Sequence, residues 1–106
     1  MPFKTIARAT VSAANTATRI TAAESVPATR IAACLVVLQS PTDGATIWVG
    51  DSSVASSPTP RGSCLTVGTF LTLPALPNSA NPYNLADIYF ASTSATAKIN
   101  VSYIEG

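Results

Sequence analysis

Histidine is absent from this 106-residue chain. That removes every His-based catalytic triad and the ordinary zinc sites. Charge is scarce too, at 10% of residues, against about 25% in an average domain. The basic residues Lys4, Arg8, Arg19, Arg30, Arg61 and Lys98 are scattered and the net charge is +1, so there is no electrostatic footprint for nucleic acid. The acids are Glu24, Asp43, Asp51, Asp87 and Glu105, and no two stand close enough in sequence to define a general acid/base pair. Asp43 and Asp51 sit in turn sequences, where Asp is favoured for local hydrogen bonding. Gly50-Asp51-Ser52-Ser53 lacks the Lys-Ser/Thr of a phosphate-binding loop. Cys34 and Cys64 are the only cysteines and have no C-x-x-C spacing. Cys34, inside an apolar run, reads as a small core residue, and a Cys34–Cys64 disulfide stays open if their strands are neighbours. No apolar run approaches the roughly 18 residues of a membrane helix. Met1–Arg19 has no acids and no apolar h-region, so it is not a secretory signal. These absences leave no catalytic residue, no cofactor and no metal to expect, and neither nucleic acid nor membrane as partner.

What is present is apolar and hydroxylic. Hydrophobic residues make up 47% of the chain, mean hydropathy is +0.34, and the uncharged polar residues are mostly Ser and Thr, with a few Asn. One domain is expected at this length, burying roughly 65% of its unfolded surface, enough for one core without staples. Residues 1–16 read as an N-terminal arm or first strand, and residues 17–106 as a single β-sandwich domain.

The centre of the chain is Ala45–Val54, A-T-I-W-V-G-D-S-S-V. Ile47 and Val49 alternate with Thr46 and Trp48, the period-two signature of a strand, and Gly50–Ser53 ends it with turn chemistry. Upstream lies Pro41-Thr42-Asp43-Gly44, a tight-turn signal, and before that the most apolar run, Ile31–Leu38. The three together read as a hairpin. In Thr29–Gln39, Ile31, Ala33, Leu35 and Val37 point one way, and Ala32, Cys34, Val36 and Leu38 the other. Both faces are apolar, so a second cover is expected on one of them. Trp48, Val36 and Ile88 are expected to be largely buried, in the core or in a subunit contact.

Shorter signals fill in the rest. Phe3–Arg8 and Ala17–Thr21 read as strands, with a loop between. Alanine-rich Ala7–Ala23 offers a rival helix, but its threonines and Val11 are weak helix formers and its apolar residues lack a 3.6 period. Pro27 marks a turn. Val54–Gly68, with Pro58 and Pro60, is a loop that returns at Cys64–Gly68. Thr69–Leu73 is a strand stopped by Pro74, and Pro74–Pro82 another loop. Ala86–Ala91 and Ala97–Ile104 close the chain as strands, the last with Ile99, Val101 and Tyr103 facing in. Seven or eight short strands with regular turn signals point to a sandwich or small barrel. Asp87, just before a strand, is a candidate partner for Arg61.

The order I-W-V-G-D-S-S-V, R-G-S-C-L-T-V-G, N-L-A-D-I-Y-F-A-S and A-K-I-N-V-S-Y-I resembles small virion proteins of tailed bacteriophages, those of capsid decoration (cement) and related accessory roles. The likeness runs over residues 29–104 and is structural rather than catalytic. It implies an all-β fold, an antiparallel β-sandwich of jelly-roll-like type with seven or eight short strands. It implies a homo-trimer, or else a dimer, bound to the major capsid protein lattice on the outer surface of a virion assembled in the host cytoplasm. The residues expected at such a contact are Phe3, Lys4, Arg8, Arg61 and Trp48, with a mobile arm around Pro2–Val11. The alternative is a carbohydrate- or receptor-binding sandwich of a tail or fibre, using Trp48 and loop tyrosines such as Tyr83.

Overall fold

A computed structural model describes residues 3–24, 31–75 and 82–105. Among them are ten strands: β1 (Phe3–Thr5), β2 (Ala9–Thr10), β3 (Thr18–Arg19), β4 (Ala32–Gln39), β5 (Ile47–Gly50), β6 (Ser63–Leu65), β7 (Phe70–Leu73), β8 (Tyr83–Asn84), β9 (Tyr89–Ala91) and β10 (Lys98–Glu105). One turn of 3-10 helix, Leu85–Asp87, is capped by the Asn84 side chain, which accepts from the Ala86 amide. No α-helix is found among the described residues, so the rival helix over Ala7–Ala23 gives way to β2 and β3. The segments around Pro27 and Pro77 lie outside the described residues.

The strands form two antiparallel sheets. The larger runs β1-β10-β4-β7, with β2 following β1 along β10 and β8 following β7 along β4; the smaller runs β3-β9-β5-β6. β1 and β2 therefore act as one interrupted strand, and so do β7 and β8 in occupying one edge. The pairing is nested. The first strand pairs with the last, β3 with β9, β4 with β7, and β5 with β6. Rolling this long hairpin up adds β10 against β4 and β9 against β5. That is jelly-roll connectivity, a two-sheet sandwich.

The core lies between the sheets and follows the alternation of each strand. Ile99, Val101 and Tyr103 of β10 are buried as their spacing predicts, and so are Ile47 and Val49 of β5 in the other sheet. Phe90, Ile20, Leu38 and Leu85 are fully enclosed. No buried side-chain polar atom among the described residues lacks a hydrogen bond. Ser40 Oγ donates to the Ala45 carbonyl at 2.7 Å and Ser92 Oγ to the Thr46 carbonyl at 2.7 Å, so both strand-end hydroxyls are satisfied by the chain that crosses past them.

Three expectations about the centre are corrected. The PTDG turn forms, with the Gly44 amide donating to the Pro41 carbonyl at 3.0 Å, but β4 and β5 belong to different sheets. The connection from Ser40 to Thr46 is too long for a tight hairpin and carries the chain across the sandwich instead. The tryptophan strand finds its hairpin partner in β6. Second, the strict alternation assigned to Thr29–Gln39 breaks inside β4. Glu105 opposes Ala33 while Ile104 opposes Leu35, so Cys34 is the extra residue of a β-bulge and the phase flips there. Ala33, Val36 and Leu38 face the core. Third, Cys34 is not a core residue and both cysteines are free. Cys34 is half-buried at the bulge, its thiol 3.8 Å from the Glu105 carbonyl oxygen. Cys64 is exposed in the other sheet, and sheets about 10 Å apart exceed the Cα reach of about 7 Å that a disulfide allows.

Candidate interaction surfaces

Register decides which side chains share a surface. On the outside of the larger sheet, Phe3 stands opposite Ile104, and Ile104 opposite Leu35. In the next row Thr5, Ser102, Val37 and Thr72 lie side by side, and in the third Asn100, Gln39 and Phe70. Phe3 and Phe70 are each 66% exposed, while Leu35, Val37 and Ile104 are half-buried. The first two rows contain no charged residue. Two exposed phenylalanines on opposite edges of this face, with two charge-free rows between them, form a surface that water covers poorly.

The N-terminal stretch is the edge of this sheet. Beyond the β1 and β2 pairings, the Ile6 amide donates to the Val101 carbonyl at 3.2 Å and the Val11 amide to the Ala97 carbonyl at 3.0 Å. Ala9 and Val11 are buried. The mobile arm expected around Pro2–Val11 is thus, from Phe3 onward, a strand tied to β10. Lys4 forms an ion pair with Glu105 at the end of β10, and that carboxylate raises the Lys4 pKa. Arg8 donates to Asn100 Oδ1 at 2.9 Å and to Asp43 Oδ2 at 2.8 Å. The Arg8 guanidinium holds the Asp43 carboxyl below its ordinary value. Both cations are occupied by the chain's own carboxylates, so Phe3 alone of these three presents an uncommitted group.

The other two expected contact residues sit elsewhere. Trp48 lies on the outside of the smaller sheet, opposite Ala91 on β9 and Cys64 on β6. It is half-buried and so not a core residue; Val36 is fully buried and Ile88 packs partly buried against the core. On the same outer face, Arg19 lies over the Tyr89 ring at 5.7 Å from its centroid and donates from Nε to the Tyr89 hydroxyl at 2.8 Å. Arg61 is exposed at the isolated bridge to Ala55. Asp51 accepts from the Ser53 amide at 2.9 Å and the Ser53 hydroxyl at 2.5 Å, and these bonds depress its carboxyl. Asp87 forms no ion pair with Arg61 or with any other described residue.

No protein-family model, curated protein or solved structure matches this chain.

Sequence reasoning missed the residues that give each face its character. Phe70 and Tyr89 were read only as strand members. Their partners across the sheet, Gln39 and Gly50, are far away in the chain, so nothing local marked them as surface residues. Tyr83, paired in expectation with Trp48 for sugar stacking, belongs to the other sheet. There it pairs with Ala33 and donates its hydroxyl to the Pro74 carbonyl at 2.7 Å.

Proposed function

We propose that this chain is a structural virion protein that docks on a phage capsid lattice as a decoration or cement protein. The observation that carries the reading is the outer face of the larger sheet, with Phe3 and Phe70 exposed on its two edges and Leu35, Val37 and Ile104 in two charge-free rows between them. Such a face favours contact with other protein over contact with water. Jelly-roll connectivity is compatible with this role, since capsid domains are among its hosts, though fold by itself assigns no function. In this reading the protein assembles as a homo-trimer and binds the outer surface of the major capsid protein lattice. Repetition of one weak contact over three copies then raises avidity. The test is cosedimentation of the purified protein with expanded capsids that lack it. Wild type is expected to pellet with the capsids in a fixed copy ratio, and F3D/F70D to stay in the supernatant. A double variant that pellets like wild type would overturn the reading.

A second reading has its own observation. Trp48, Tyr89 and Arg19 share the outer face of the smaller sheet, an aromatic platform with a cation beside it. That arrangement suits a sugar ring. Specific signals on a glycan array that vanish with W48A would favour it over capsid docking.

A further inference from the structure

The two sheets end on the same side of the sandwich, the larger at β7 and the smaller at β6. A cleft of about 300 Å³ opens beside them. Leu71 and Leu73 of β7, with Leu38, Val49 and Ile88, form its apolar walls. Of the residues lining it, Asp51 and Asp87 alone are charged, and both are exposed. Arg61 helps to lower the Asp51 carboxyl at longer range, but neither Arg61 nor Arg19 lines the cleft or forms an ion pair with either carboxylate.

β7 itself is an unprotected edge. Phe70-Leu71-Thr72-Leu73 contains no charge, and the first proline is Pro74, after the strand ends. Natural edges are normally blunted by Lys, Pro or a bulge. The Ser40 amide donates to the Thr69 carbonyl at 3.0 Å, which sets the alternation of the β4–β7 ladder. Leu71 and Leu73 turn their backbone groups to β4, and Phe70 and Thr72 turn theirs outward. Among the described residues nothing pairs with that outward edge.

We propose that β7 accepts an extended segment of a partner protein by strand addition. The segment hydrogen-bonds Phe70 and Thr72 through its backbone. One of its apolar side chains enters the cleft between Leu71, Leu73 and Ile88. A Lys or Arg two residues away, on the same face of the added strand, reaches Asp51 or Asp87. The charges favour such a partner over a second copy of this chain. Pairing β7 with β7 supplies no cation to the cleft, because the strand has none, and it brings two acidic rims together. This inference does not depend on the capsid reading, since it uses an edge and a cleft that capsid docking through the outer face leaves free.

The test begins with a library of random nonapeptides selected on the full chain. The expected consensus is an apolar residue followed two positions later by Lys or Arg, without proline between them. Binding of a selected, fluorophore-labelled peptide is then measured by anisotropy, and amide exchange is followed with and without it. The Phe70 and Thr72 amides are expected to become protected on binding. D51N/D87N is expected to weaken the peptide about tenfold, the scale of a lost charge contact at an interface rim. T72P is expected to abolish binding while keeping the native circular dichroism; should it unfold, exchange on the wild-type chain decides. Four outcomes would overturn the proposal: no peptide selected, no protection at Phe70 and Thr72, unchanged affinity in D51N/D87N, or protection that rises with protein concentration alone, which assigns the edge to a second copy.

Discussion

Gly62 holds φ at +117°, and a Cβ there would stand 2.6 Å from the Val49 carbonyl oxygen. The strand pair β5–β6 closes only because this residue has no side chain. Gly68 also has positive φ, at +86°, but its Cβ would meet nothing nearer than 3.9 Å. G62A therefore combines backbone strain with a clash against backbone and is expected to cost about 2–4 kcal/mol, whereas G68A carries the strain alone, about 1–2 kcal/mol. Urea midpoints of the two variants check the order. The aromatics make a second comparison. Phe90 is fully enclosed, so F90A is expected to cost about 3–5 kcal/mol. Trp48 is half-buried on an outer face, and W48A is expected to cost only about 1–2 kcal/mol. Equal losses in the two variants would place Trp48 in a buried contact between copies.

At the scale of elements, the N-terminal edge and the PTDG turn are joined by Arg8. Its guanidinium reaches Asn100 on β10 and Asp43 in the turn, and it holds the Asp43 carboxyl low. A carboxyl whose pKa is lower folded than unfolded stabilises the protein above the unfolded value. That stabilisation is lost as pH falls through the folded value. Both side chains are exposed, so the effect is small and screened by salt. The wild-type unfolding midpoint is expected to drop more than that of D43N below about pH 4, and to run parallel above it. Lys4 works in the opposite sense. Its pKa is raised by Glu105, so its contribution is present below the ordinary lysine value and fades above about pH 10. The edge strand itself is a part of the fold. Deleting residues 1–11 strips β10 of its outer partner and removes Ala9 and Val11 from the core. The truncated chain is expected to aggregate or unfold, read by loss of the β-type circular dichroism signal. A stably folded truncation would show that the strand is dispensable.

For the whole molecule, the question is what covers the larger sheet's outer face. Capsid docking uses that face, so the trimer expected in light scattering coupled to size exclusion closes through other surfaces. F70D places a charge on the face at a residue already 66% exposed, so it is expected to leave the oligomer and its stability intact; a shift to monomer would assign the face to the ring instead of the lattice. A wild-type monomer at micromolar concentration would refute the trimer.

The sequence carried the class of the fold through local physics. Period-two alternation in β5 and β10 and the turn chemistry between strands act over a few residues, and they placed most strands and the inward row Ile99, Val101 and Tyr103 correctly. Lack of charge and of histidine likewise followed from composition alone. What tertiary structure decided was every relation between distant segments. The bulge at Cys34 exists because β10 ends against Ala33 after pairing Leu35, and it reverses the phase of a strand whose apolar sequence carries no sign of a break. The crossing after Ser40 sends the tryptophan strand to β6 rather than to β4, because a turn signal fixes a reversal but not the sheet in which the chain lands. The candidate surfaces are of this second kind. Phe3 shares a face with Phe70, and Trp48 with Tyr89, only through register across strands far apart in the chain.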